Sequence, residues 1–333
     1  MYAAAPMSSL LLSALALLLM TAPASPAPGP NVSPTAPDTS ENEMLPFYPE
    51  KVAMTTIDGR EIAYVERPGP SEDAPVLLFV HGLGSNLSLW RHHVDAFPEY
   101  RVLALDLPGF GMSGKQDVPA TMPFFAESVV GFFDAMDVET ATYVGVSMGG
   151  QIGLHVALKH ADRLDQIALV SPAGIETFTK QDATAIRSMM SAEGIMAASD
   201  AQVQQSVALN FHKYTNEYAW LVEQRQAVAD RSDFPAYAAA NAKAVGGMLD
   251  GFVYDQLEAI DLPTLVLFGA GDKLIPNRFL HPEQSPETMA EAAQAAMPNA
   301  QVELIEDAGH LVMIEQPGAF EEHLRKFLSQ TRK

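Results

Sequence analysis

The sequence predicts an α/β protein built on a doubly wound, mostly parallel sheet. Continuous apolar runs of strand length recur along the chain, amphipathic helical patterns alternate with them, and a hairpin signal precedes the first. The hairpin is "KVAMTTIDGREIAYVE", which alternates around Asp58-Gly59, a pair suited to a tight two-residue turn. The buried runs are Pro75 to Val80, Arg101 to Leu107, Ala141 to Val146, Gln166 to Pro172, Pro263 to Ala270 and Ala300 to Ala308. Runs apolar at every position, and not at alternate ones, belong to strands covered on both faces. Helical patterns span Met122 to Met136, Met148 to His160, Pro286 to Met297 and Pro317 to Leu328.

The alternation stops between the fourth and fifth buried runs. Residues 173–259 are dense in Ala, Met and Gln and contain "NFHKYTNEYAWL". They predict a helical cap over the carboxyl ends of the strands, where open α/β sheets bind ligands. Residues 50–172 and 260–333 then make up the core.

The N-terminus differs from the rest. "SSLLLSALALLLM" followed by Ala22-Pro23-Ala24 predicts a signal peptide over residues 1–24 and hence an exported protein, periplasmic or secreted. No Lys or Arg precedes the apolar block, so retention as an N-terminal membrane anchor is the competing reading. Residues 25–49, rich in Pro, Ser and Thr, predict a flexible tether with little to bury. The chain has no cysteine, so export proceeds without disulfides, which a domain of this size does not require.

Acidic residues number 41 against 20 basic ones, a formal charge of −21. Such a field repels phosphate backbones and anionic lipid surfaces, excluding nucleic acid as a partner and stable membrane association beyond the N-terminal segment.

Candidate chemistry begins at "YVGVSMGGQIG", Tyr143 to Gly153. A serine between glycines, leaving a buried strand and opening a helix, is either an incidental turn residue or a nucleophile raised on the turn. Glycine neighbours allow strand and helix to approach closely, and the helix N-terminus favours developing negative charge. His310 follows the last buried run and Asp272 the fifth. Alone, each has an ordinary explanation, as a loop histidine or a turn former. Together Ser147, Asp272 and His310 stand at the carboxyl ends of three parallel strands, along one sheet edge where they can converge.

From Val52 to the C-terminus the chain resembles the α/β-hydrolase superfamily. The resemblance is carried in order by "HGLGS" (His81 to Ser85), "DLPGFGMSG" (Asp106 to Gly114), "GVSMGG" (Gly145 to Gly150), "GAGDKLIP" (Gly269 to Pro276) and "AGHLVMIEQP" (Ala308 to Pro317). It implies that Ser147 is the nucleophile, His310 the general base and Asp272 the residue orienting it, with an oxyanion hole from the backbone N–H groups of Leu83 and Met148. It also implies a bacterial esterase- or lipase-like enzyme that needs no cofactor and no metal.

Other residues have blander readings. His81 shapes its loop by hydrogen bonding, and Asp106 is a structural turn residue. Glu306, Asp307 and Glu176 are weaker rivals to Asp272. His92, His93 and His155 lack metal-ligand spacing. Met189, Met190, Met196 and Met248 either line an acyl pocket or pack the cap itself.

A serine at the elbow separates the chain from relatives that use aspartate there, the haloalkane dehalogenases and epoxide hydrolases. The leading expectation is hydrolysis of a small, uncharged, moderately hydrophobic carboxylic ester through an acyl-enzyme. Carbon–carbon bond or amide hydrolysis on the same three residues is the alternative, and a non-turnover binding protein on the same scaffold is the second class.

Overall fold

The computed structural model describes residues 44–49 and 51–330. The expected signal peptide and the tether up to residue 43 lie outside the described residues. Strands β1 (Ala53–Ile57) and β2 (Arg60–Arg67) form the expected hairpin, and its turn residues Asp58 and Gly59 both have positive φ, 49° and 76°. That conformation matches the right-handed twist of the paired strands. The apolar runs form β3 (Val76–Val80), β4 (Arg101–Leu105), β5 (Ala141–Val146), β6 (Leu164–Val170), β7 (Thr264–Gly269) and β8 (Gln301–Ile305). The sheet order is β1-β2-β4-β3-β5-β6-β7-β8; β3 to β8 run parallel, and β2 is antiparallel to both its neighbours.

Helices α1 (Met122–Ala135) and α2 (Met148–Lys159) follow β4 and β5. Between β6 and β7 run α3 (Lys180–Met189), α4 (Ala192–Met196), α5 (Asp200–Ala208), α6 (Ala219–Ala229) and α7 (Phe234–Asp250). Then come α8 (Pro286–Ala296) before β8, and α9 (Val312–Glu315) and α10 (Pro317–Gln330) after it. Local signals set the helix starts. Thr121 accepts a hydrogen bond from Phe124 N at the head of α1, and Ser285 and Thr288 form a reciprocal capping box on α8, with Pro286 in its first turn.

The apolar runs of the central strands are continuous because each of these strands supplies two cores. Leu78 and Val80 of β3 face one core together with Phe125 and Phe132 of α1 and Ile152 of α2. Leu77 and Phe79 face the other, shared with Trp90 and with Phe320, Leu324 and Phe327 of α10. Phe79 is fully buried, its ring stacked 4.8 Å from Trp90. Val207 of α5 and Leu221 of α6 join this second core, fastening the β6–β7 helices to the sheet.

The expectation of a tether with little to bury fails at its last residues. Leu45 is 4% exposed, the Phe47 ring lies 5.8 Å from Trp220 of α6, and the Tyr48 hydroxyl donates at 2.7 Å to Asp106 Oδ2. Apolar and aromatic side chains in "MLPFYP" outweigh the Pro-rich composition around them. Asp106 also accepts from Leu87 N and Met112 N, each at 2.7 Å, so one buried carboxyl ties three separate loops together. Burial pushes this carboxyl up to about 6 despite these donors.

Two outcomes follow from this packing. Phe79→Ala lowers the unfolding free energy by about 3–5 kcal/mol in urea titrations; a loss below about 1 kcal/mol would mean that the second core is not what binds this face. Tyr48→Phe removes one donor from a buried carboxyl and costs about 1.5–3 kcal/mol, whereas an unchanged midpoint would show that this hydrogen bond does not help to hold residues 44–49 on the core.

Candidate active site

Ser147 sits between β5 and α2 at φ 56° and ψ −117°, a region that residues with a side chain rarely occupy. Such backbone strain costs about 1–3 kcal/mol and persists only where the surroundings over-determine it. The surroundings do so by contact. A Cβ on Gly145 would stand 2.4 Å from Gly149 O, and one on Gly149 would stand 2.6 Å from both Val80 O and His81 O. The helix therefore crosses β5 and β3 at backbone contact, and the chain turns within one residue. Ser147 N donates to Val170 O at 2.9 Å, while Ser147 O accepts from Gln151 N and Ala173 N, each at 3.1 Å. The Ser147 side chain makes no capping bond to α2, which leaves its hydroxyl to the pocket it lines.

Asp272 follows β7 by three residues. Its Oδ1 accepts from Leu274 N at 2.8 Å and Ile275 N at 3.1 Å, and its Oδ2 lies 2.8 Å from His310 Nδ1. Both side chains are buried. With Nδ1 directed at a carboxylate, Nε2 is the ring nitrogen left with its lone pair. His310 N donates to Asn210 O at 2.8 Å, so the ring is held by the β6–β7 segment as well as by Asp272. Glu315, on α9, accepts from Gly309 N, His212 N and Lys213 N at 2.8–2.9 Å and bolts the same two loops together.

The structure brings Leu83, Ser147 and His310 to the lining of one small pocket that opens to solvent. Met148 is the first residue of α2, where a backbone N–H has no partner within its own helix. The loop carrying Leu83 is fixed by His81. Leu107 N donates to His81 Nε2 at 3.0 Å, so Nδ1 carries the proton and donates to Gly82 O at 2.8 Å. Burial lowers this ring to about 4, keeping it neutral as a loop-shaping group.

The rivals lie elsewhere. Glu306 and Asp307 are exposed, and Glu176 pairs with His281 Nδ1 at 2.5 Å and accepts from Asn277 N. His93 is tied to Glu321 and Met313 O, and His155 to Gly251 O. Among the described residues no cluster of His, Cys, Asp or Glu is arranged to hold a metal. The apolar wall is formed by Leu89, Val207, Leu221 and Leu311, not by the methionines; Met190 and Met196 are exposed. Sequence reading missed Asn210, Glu315 and Arg225, which carry no local motif. The one available hint is an arginine in a polar stretch flanked by the apolar residues of "AWLVEQRQAVA".

A sequence model for the alpha/beta hydrolase fold matches residues 75–317. The dihydrolipoyllysine-residue acetyltransferase component of the acetoin cleaving system from Cupriavidus necator is 29% identical over 302 residues, covering 88% of this chain and 72% of that protein. 3-Oxoadipate enol-lactonase 1 from Acinetobacter baylyi is 28% identical over 270 residues, covering 81% and 93%. The solved enol-lactonase from Burkholderia xenovorans aligns with a TM-score of 0.68 at 26% identity, covering 83% of this chain and all of that one. A match across that span, on a sheet of this order, makes the chain a member of the α/β-hydrolase fold family.

Proposed function

We propose that the protein is a serine hydrolase that cleaves small carboxylic esters through an acyl-enzyme. One observation carries the proposal: a strained, uncapped serine shares its pocket with a histidine whose other nitrogen is fixed by a buried aspartate. The similarity to enol-lactonases, named for cyclic esters, and to an acetyltransferase supports acyl chemistry.

In this reading His310 Nε2 takes the Ser147 proton as Oγ attacks the ester carbonyl. Asp272 fixes the ring orientation and offsets the positive charge that the imidazole acquires. The backbone N–H groups of Leu83 and Met148 receive the oxyanion; one such donor is worth about 3 kcal/mol of barrier. Collapse of the tetrahedral intermediate expels the alcohol, which takes its proton from His310. Water, deprotonated by the same nitrogen, then attacks the acyl-enzyme and releases the acid and the free serine. Residues 173–259 act as a cap, a role supported by Val207, Leu221 and Arg225 at the pocket wall. Export directed by residues 1–24 belongs to the same proposal.

Incubation with a fluorophosphonate probe and a series of p-nitrophenyl esters tests it. The wild type is labelled once and turns esters over, and Ser147→Ala abolishes both. Asp272→Asn keeps the fold and lowers kcat by about 10²- to 10⁴-fold, as expected when the imidazole loses its orienting carboxylate. A folded wild type that neither labels nor hydrolyses would leave Ser147 as a turn residue only.

A further inference from the structure

Arg225 stands out against the charge of the whole molecule. It lies on α6, half-buried, and lines the pocket that holds Ser147 and His310. It also lines a second, narrow recess that shares Ser85 and Leu221 with the first. Arg225 thus borders both spaces. No aspartate or glutamate lines either one, although the chain carries 41 acidic residues.

Several arginines are matched with carboxylates, among them Arg101 with Glu66, Arg163 with Asp134, Arg187 with Asp250, and Arg231 with Asp233, while Arg60 and Arg91 lie over aromatic rings. No ion pair is made by Arg225 among the described residues. Its position is nonetheless fixed. Gln224 beside it is buried and donates to Ser88 Oγ at 2.6 Å and to Pro46 O at 3.1 Å, which sets the rotation of α6 against the core. The charge is felt inside the second pocket: burial pushes the Tyr237 hydroxyl up, and Arg225 pulls it back down. A half-buried guanidinium beside an apolar wall, with no carboxylate partner, keeps its donors available to an incoming anion.

We infer that Arg225 is a specificity-determining residue that binds a carboxylate carried by the substrate, so that the preferred esters or lactones are themselves anionic. The inference rests on the reading of Ser147 as the nucleophile, and it departs from the uncharged ester that composition alone suggests. The scissile carbonyl lies at Ser147, apolar carbons of the acyl part run along Leu221, and the free carboxylate meets the guanidinium. A planar guanidinium presents paired donors to both oxygens of a carboxylate, a geometry that an ammonium group does not reproduce. The overall charge of −21 opposes the approach of such a substrate, so added salt raises the apparent affinity at low ionic strength instead of lowering it.

The test compares matched esters with one leaving group: mono-p-nitrophenyl adipate against p-nitrophenyl hexanoate, and the suberate monoester against the octanoate. Spontaneous hydrolysis is measured in Ser147→Ala and subtracted. The readout is the ratio of kcat/KM for the anionic over the neutral ester, in which effects common to both cancel. Arg225→Gln lowers that ratio by about 10- to 100-fold, the worth of a charge-assisted pair of hydrogen bonds, mainly through KM. Arg225→Lys restores part of it. Calorimetry with adipate on Ser147→Ala, with and without Arg225→Gln, reads the anion site without turnover, and binding weakens at least about tenfold when the arginine is lost. A ratio and an adipate affinity that Arg225→Gln leaves unchanged would overturn the assignment. Failure of the fluorophosphonate to label Ser147, with adipate binding still dependent on Arg225, would sink the serine-hydrolase reading and keep the anion site.

Discussion

Backbone contact between α2 and the strands beneath it is the constraint on which the rest of the site depends. A helix normally rides on a sheet at side-chain distance. Here Gly145 and Gly149 remove the side chains, and the axis of α2 descends until its first turn touches Val80 O and His81 O. The descent gives β5 a single residue in which to reverse direction, and Ser147 absorbs the geometry. The same descent brings the loop after β3 beside the serine: a Cβ on Gly82 would stand 3.1 Å from Ser147 Cβ. One packing choice therefore strains the serine, lifts its hydroxyl out of the sheet and places the Leu83 backbone next to it. Packing at crystal density on both faces of β5 is what can hold such strain in place.

The second half of the site is assembled by side chains instead of by packing. Asp272 organises its own turn through Leu274 N and Ile275 N before it reaches His310. His310 and the segment around Asn210 are then joined by Asn210 O, Glu315 and Lys273, whose ammonium donates to Phe211 O and His212 O. The β6–β7 helices and the histidine loop thus move together or not at all. A shift of α5 that widened the pocket would pull on Asn210, whose carbonyl holds His310 N, so pocket shape and the placing of the imidazole beside Ser147 are coupled.

Much of this was legible in the sequence, for a physical reason. Strands buried on both faces must be apolar at every position, so β3, β5 and β7 announce themselves as runs, and their ends fall within two residues of expectation. β6 begins earlier than expected, at Leu164, and stops at Val170, before Ser171 with its φ of 41°. Ser147, Asp272 and His310 were visible because each stands just past such a run. What stayed hidden depends on long-range partners. Nothing local to "EQPGA" shows that Glu315 will accept three backbone N–H groups, and nothing in "VEQRQ" shows that Gln224 faces the core while Arg225 faces the pocket. The packing of Phe47 and Tyr48 was missed for the same reason, because their partners, Trp220 and Asp106, lie far along the chain.

The packing of residues 44–49 has a practical reach beyond fold stability. Phe47 and Pro46 touch α6 through Trp220 and Gln224, and the Arg91 guanidinium lies 3.9 Å over the Trp220 ring, closing a clasp between core and helix. That helix carries Leu221 and Arg225 into the pocket. A shortened form of the protein that begins after Pro49 would keep every strand of the sheet and all three candidate catalytic residues, yet lose the clasp. Among the described residues, packing against the core thus begins at Leu45, several residues before the first strand.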